Sequence, residues 1–307
     1  MFIEIWRVDM VTLEEIEAFL KQEKLEYRVQ TEGEVAVSGF SSLDHYRPGT
    51  MTWIKSAGRW SADLPGIALC IVQEGVDIPL PNQIICRNSK EVFFSLIEHF
   101  FAVQEVEEPI GMNTVIGPNV QLGSNVRIGH NCSITGDIVI GDDTVISDNV
   151  VIRNKVRIGK RCTIQALTMI GEDGFGAYEE ENHRRVMIRH YGGVTIGDDV
   201  FIGSHVDIER GTIDDTYIGD GTKIGPCTLI AHNTRVEKDA VLICSHLYGS
   251  VHIGENGWVV GSIVKNQCSV GDSTMVGIGS AVTRDIEAGK VAVGVPAKVI
   301  RDNFPVK

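Results

Sequence analysis

Residues 110 to 170 read IGMNTV IGPNVQ LGSNVR IGHNCS ITGDIV IGDDTV ISDNVV IRNKVR IGKRCT IQALTM I, with isoleucine or leucine opening every block of six from Ile110 to Ile170. A period of six fits neither the 3.6-residue repeat of a helix nor a heptad. It suits a coil of short flat strands that turns a corner every six residues and points one aliphatic side chain inward at each step. Glycine follows the aliphatic at Gly117, Gly129, Gly141 and Gly159, with asparagine or aspartate close behind in several blocks. Those residue types tolerate the left-handed backbone that tight corners demand.

The pattern resumes at Ile196, Ile202 and Ile208, slips once, and continues through Ile218, Ile224, Ile230, Val236, Leu242 and Tyr248, then Val270, Val276 and Val282. Three steps of six complete a turn of eighteen residues. The chain from 105 to 286 is therefore predicted to be a solenoid of stacked coils, interrupted by an insertion near 172–193 and followed by a tail over 287–307. Residues 1–104 have a different character. Thr12 and Glu15 make a capping box for a helix with an apolar face of Ile16, Phe19 and Leu20. Residues 35–37, 52–54 and 67–72 read as strands, and Ser89 to Phe94 opens a closing helix. A small α/β domain is expected, joined to the solenoid by the acidic stretch 104–109, which ends in Pro109.

Composition narrows the function classes. The 307 residues are 43% hydrophobic and 22% charged, and the mean hydropathy is +0.04, values of an ordinary folded protein. A net charge of −13 and a pI near 5.1 argue against nucleic acid or an anionic membrane as partner, both of which call for basic patches. The seven cysteines form no C-x-x-C pair, so free thiols in a reducing compartment are expected. Glu4, Arg7 and Asp9 break the first apolar stretch, and no apolar run reaches eighteen residues, which points to the cytoplasm.

Four stretches carry a family resemblance: residues 37–43 with 48–54 and the strand at 67–72; Asp173-Gly174-Phe175-Gly176 at the start of the insertion; Asp207 to Thr216; and Ile230-Ala231-His232-Asn233. The whole chain resembles the UDP-3-O-acylglucosamine N-acyltransferases of lipid A synthesis and the related N-acyltransferases of nucleotide-linked amino sugars. The resemblance implies a mainly β fold, a left-handed parallel β-helix of hexapeptide repeats, behind an α/β domain that binds the nucleotide sugar. It implies a homotrimer with sites between subunits, and a catalytic histidine at His232. Two departures stand out. The family's second functional histidine falls near Gln267, and the long C-terminal helix that engages acyl carrier protein is missing. The ending from Gly294 to Arg301 resembles coenzyme A dependent hexapeptide acetyltransferases instead. Acyl-CoA is thus the expected cosubstrate, with an acyl carrier protein thioester as the alternative, and no metal is expected.

His232 lies two residues past an inward aliphatic, at an outward corner. Asp214 is eighteen residues earlier, and stacked coils sit about 4.8 Å apart, so its carboxylate is expected to orient the ring as a general base. Backbone N–H groups of an adjacent coil would hold the tetrahedral oxyanion. His246 sits in a break of the pattern and is a second substrate-binding candidate, although a structural histidine is the simpler reading. Trp53 and Trp60 flank Lys55 and Arg59; they suit a stacked base and a phosphate, or core packing. Phe175 would wall a ligand groove, and Lys298 and Arg301 would meet coenzyme A phosphates. The charge run 179–185 reads most simply as a solvated loop. Two other classes fit the scaffold: a zinc carbonic anhydrase, for which His205, His232, His246 and His252 have poor spacing, and a noncatalytic sugar-nucleotide sensor.

Overall fold

The computed structural model describes residues 10–59, 66–102 and 108–303, and the chain divides into two compact units, Met1–Val106 and Glu107–Lys307. The expectations placed on Glu4, Arg7, Asp9 and Trp60, and on most of the acidic link, lie outside the described residues.

In the first unit, helix α1 (Leu13–Gln22) starts from Thr12, whose hydroxyl accepts from the Glu15 backbone while the Glu15 carboxylate accepts from Thr12 N. Helix α2 (Ser89–Phe101) is capped by Asn88. A four-stranded sheet runs in the order Tyr27–Gln30, Gln83–Cys86, Leu69–Gln73, Met51–Ile54, with only the first pair antiparallel. Alternation along one strand sorts the core. Leu69 and Ile71 join Met51 and Ile84 beneath the helical residues Ile16, Leu20 and Leu96. Cys70 and Val72 face the other way, into a second cluster with Ile54, Ile67 and Ile78. The strands Tyr27–Gln30 and Gln83–Cys86 were not legible in the sequence, because both are short and mix polar with apolar residues.

The second unit is a parallel β-solenoid, mostly β as the hexapeptide period predicts. Along one inward column Ile134 pairs with Ile152, then come Ile170, Ile208, Ile230, Leu247, Val264 and Val282, each in register with the next coil. All eight are essentially sealed from solvent. Strands Ser133–Ile140 and Val151–Ile158 run unbroken past one corner and merge two sides of the prism into a single sheet.

The corners divide their work between two residue types. Asn125, Asp143, Arg161 and Asp199 adopt left-handed φ of 55 to 59°, which asparagine and aspartate accept at modest cost. The glycine after the aliphatic serves another purpose, since stacked coils pass too close there for a side chain. A Cβ on Gly141 would lie 2.6 Å from the Gly159 carbonyl carbon. Next to it, Asp142 accepts from the Ser124 backbone at 2.9 Å, and Asp198 from Lys160 at 2.8 Å, so polar ladders stitch the edges. Gly141→Ala is expected to destabilise the protein by about 1–3 kcal/mol through overpacking, read as a lowered midpoint in denaturant.

The register departs from eighteen in several places. Ile170 pairs with Ile208, and the coil between them carries the insertion, a hairpin of Ala177–Glu179 with Arg185–Met187. Its charge run is paired within itself, Arg184 on Glu180 and Arg185 on Glu179. Ile208 pairs with Ile230, four residues beyond the regular period. Leu247 and not Tyr248 points inward, because the leg from Leu242 to Leu247 is one residue short; Tyr248 is 40% exposed. The tail closes as a hairpin of Lys290–Val293 and Lys298–Asp302. All seven cysteines are free, and burial raises the Cys70 thiol to about 12.

Candidate functional site

His232 sits at the corner after strand Leu229–Ile230 and lines a cavity of about 280 Å³ with Phe175, Glu209, Leu229, Ala231, Tyr248, Gly249 and Asn266. Two glycines make room for its ring. A Cβ on Gly249 would stand 2.7 Å from Cε1 and 2.8 Å from Nε2, and one on Gly174 would stand 2.9 Å from Cδ2. The imidazole is thus clasped between the next coil and the start of the insertion. Its backbone N–H donates to Glu209 Oε2 at 2.9 Å.

The ring is anchored at Nδ1, 3.0 Å from the Asn233 side-chain nitrogen. Asn233 is itself fixed: its Oδ1 accepts from Thr212 N at 2.7 Å and Thr212 Oγ1 at 3.0 Å, and its backbone N–H donates to Thr216 Oγ1. It adopts φ +59°, a conformation asparagine takes readily. His190, at the end of the insertion, meets His232 edge to face with ring centroids 5.2 Å apart. Only 1% of His190 is exposed, and its Nδ1 bonds the Ile188 carbonyl. Burial first, then the His190 charge, lower the His232 pKa below its ordinary value, while the Phe175 backbone carbonyl partly offsets them. Both effects favour the uncharged ring.

A carboxylate cluster lies on the same face one coil earlier. Burial, followed by the charges of Glu209 and Glu172, raises Asp207 to about 6, and its Oδ1 is buried without a hydrogen-bond partner. Glu209 is also raised, chiefly by burial. The unfolded Asp207 carboxyl ionises near 4, so its burial penalty is absent below about pH 4, grows up to about pH 6 and is complete above. Asp207→Asn is accordingly expected to stabilise the protein by roughly 1–2 kcal/mol at pH 7.5 and to change nothing at pH 4, a difference that thermal melts at the two pH values will read.

The structure separates the other expected site residues. Asp214 does not stack beneath His232, because the coil from Ile208 to Ile230 is longer than eighteen residues; it is exposed, with its backbone carbonyl against Gly192 and Gly211. Asn233, at Nδ1, takes the orienting place that the sequence reading gave to Asp214. Phe175 does reach the cavity and is 81% exposed. His246 is exposed on strand His246–Leu247, beside Leu229 and Ile263, and does not line the cavity. Trp53 packs on Phe93 and Phe94 of α2 at 6.2 and 6.3 Å, the core role. Lys55 is exposed, Arg59 ends a 3-10 turn, and both belong to the first unit. Lys298 and Arg301 are exposed on the tail hairpin. His252 bonds Glu237, and among the described residues no three His, Cys, Asp or Glu side chains converge as a metal site would need. His190 and Asn233 went unnoticed in the sequence. Asn233 had a signal, as a corner asparagine beside a candidate histidine, whereas His190 lies in the aperiodic insertion and had none.

Comparison with known proteins agrees with this architecture. A family model described as the GMPPB C-terminal domain matches residues 97–175. The UDP-3-O-acylglucosamine N-acyltransferase of Delftia acidovorans is 38% identical over 128 residues, 41% of this chain and 38% of the relative. The enzyme of that name from Coxiella burnetii is 46% identical over 83 residues, 27% of this chain and 24% of the relative. The chain thus matches well under half the length of these curated relatives. Among solved structures, the UDP-N-acetylglucosamine O-acyltransferase of Moraxella catarrhalis aligns with a TM-score of 0.59 at 28% identity, covering 64% of this chain and 75% of that one. LpxA of Acinetobacter baumannii aligns with a TM-score of 0.58 at 27% identity, covering 63% and 74%. The chain resembles the hexapeptide-repeat acyltransferases in both sequence and fold.

Proposed function

We propose that this chain, given its likeness to enzymes named for acyl transfer to UDP sugars, is an N-acyltransferase that moves an acyl group from a thioester to the amino group of a nucleotide-linked sugar. The observation that carries this reading is the His232 ring, clasped between Gly174 and Gly249 at a cavity walled by Leu229, Ala231, Phe175, Tyr248, Glu209 and Asn266. Such a site sets an orientable imidazole, with the Glu209 carboxylate and Asn266 beside it, against apolar surface, which suits an acyl chain meeting a polar acceptor. Backbone N–H groups of the next coil, at Gly249, would help hold the oxyanion. UDP and dTDP sugars are both acceptable acceptors on this reading.

Two donors are open to the site. Exposed Lys298 and Arg301 support acyl-CoA, whose phosphates they would meet. Resemblance to the lipid A enzymes supports an acyl carrier protein thioester. A homotrimer, expected from the same resemblance, would cover the exposed Phe175 and Ile213 with a neighbouring copy. Thiol release will be measured with acetyl-CoA, 3-hydroxybutyryl-CoA and a hydroxyacyl carrier protein, each against a panel of UDP- and dTDP-linked amino sugars. Turnover with a CoA donor that weakens in the Lys298→Ala, Arg301→Ala double variant fixes the first donor, and turnover with the carrier protein alone fixes the second. Silence with every pair would leave the sensor reading in its place.

A further inference from the structure

Cys70, Cys86, Cys132, Cys162 and Cys268 are buried, where a free cysteine ordinarily packs, whereas Cys227 and Cys244 are exposed. These two lie at one corner of consecutive coils. Leu229 pairs with His246 and Ile230 with Leu247, so Cys227 and Cys244, just before the first of these pairs, face each other across the same gap. The corner bonds agree. The Cys227 N–H donates to the Ser204 carbonyl, one residue before His205, and the Gly261 N–H donates to the Ile243 carbonyl, one residue before Cys244. His205, Cys227, Cys244 and Gly261 therefore form one column, with left-handed φ of 56°, 55°, 45° and 50°. Glycine, asparagine or aspartate accepts such a φ more readily than cysteine does. Sulfur thus stands at two adjacent corners against the preference of the backbone.

We propose that Cys227 and Cys244 are a modification site, a thiol pair that an oxidised low-molecular-weight thiol such as glutathione disulfide closes into a bridge between the two coils. Stacked coils lie about 4.8 Å apart, within the roughly 4.4–6.8 Å between Cα atoms that a disulfide spans. Similar φ values aim the two Cα–Cβ bonds the same way, and exposure gives the oxidant access. One cysteine thiolate attacks a sulfur of the oxidant and displaces a first reduced thiol. The other thiolate attacks the protein sulfur of that mixed disulfide and displaces a second. The two cysteine protons end on the released thiols, so the pair is oxidised by two electrons and the small disulfide is reduced by two. Burial keeps the other five cysteines out of this exchange. The bridge has a definite place in the fold. Cys227 stands on the leg that runs through Ile230 to His232, and Cys244 on the leg that runs through Leu247 to Tyr248 and Gly249. Closing it ties the coil of the histidine to the coil that clasps its ring, while neither cysteine lines the cavity.

The test equilibrates the full, folded chain in mixtures of reduced and oxidised glutathione, blocks the remaining thiols with an alkylating agent, and reads intact and peptide masses. As the oxidised fraction rises, the chain is expected to lose two alkylatable thiols together and two hydrogens in mass, and to stay a single chain on a gel without reductant. Trypsin cuts after Arg235 and Lys238, so Cys227 and Cys244 fall on separate peptides, which the bridge should join. The oxidised protein should melt about 3 °C or more above the reduced one, because the bridge restrains the unfolded chain. Cys227→Ser and Cys244→Ser should each take up one glutathione on the remaining partner, form no bridge and show no such rise. A glutathione held separately on each cysteine of the wild type, a bridge between different chains, a bridge that includes one of the buried cysteines, thiols that stay reduced in fully oxidised buffer, or a melting temperature that the bridge leaves unchanged would each overturn the proposal.

Discussion

His232→Ala is expected to lower kcat for acyl transfer by about 10²- to 10³-fold, the usual cost of removing a positioned proton-transfer or hydrogen-bonding group from a reacting centre. Thermal stability should barely change. The ring lies against two glycines, a backbone carbonyl and one amide, not in the aliphatic column that holds the coils together. Its loss leaves Asn233 bonded to Thr212 and the corner intact. Initial rates at saturating acceptor, with wild type and variant side by side, check this. A loss below tenfold would mean that the cavity acts by holding its substrates together, without chemical help from the ring.

Gly249→Ala should be nearly as damaging, although it removes no functional group. Its methyl would stand 2.7 Å from His232 Cε1 and 2.8 Å from Nε2, well inside contact distance. Either the ring or the coil must move, and an ångström of misplacement at a reacting centre is enough for about a hundredfold in rate. The ring can turn outward into the cavity, so the strain is relieved at the site and not in the core. Kinetics should therefore show at least a hundredfold loss in kcat with a melting temperature within a few degrees of wild type. Gly141→Ala has the opposite profile: its methyl would meet only the backbone of the next coil, and stability, not chemistry, absorbs the change.

These two glycines show how far the sequence could be read. The solenoid was legible because inward aliphatics must recur wherever a flat strand turns a corner, and a sixfold period has few other physical causes. Glycine after the aliphatic was legible as a corner marker, yet its reason was not, since the left-handed residues prove to be Asp143 and its counterparts while Gly141 is needed for close approach. The constant period that made His232 stand out also misplaced its partner. Four extra residues between Ile208 and Ile230 carry Asp214 away from the site, and a one-residue deletion turns Tyr248 outward to the cavity. Departures from the repeat hold most of the chemistry. His190 comes from the insertion, Asn233 is fixed by Thr212 in the four-residue excess, and neither position obeys a period that sequence reasoning can follow.

The electrostatics follow from the same departures. By making room for the insertion, the long coil buries His190 against His232, and both burial and charge then favour the neutral ring. Asp207 and Glu209 accumulate on the coil before it, raised by their own burial, and Glu209 brings a carboxylate to the wall of the cavity. The amino-sugar acceptor proposed above is compatible with a carboxylate there.

The most direct measurement of the central claim is the mass and chemistry of the acceptor after incubation with a thioester donor. One acyl group should be added per nucleotide sugar for each thiol released, and the adduct should survive alkaline hydroxylamine, as an amide does and an ester does not. An acceptor recovered unchanged while thioester is consumed, or an adduct that hydroxylamine removes, would contradict N-acylation at this site.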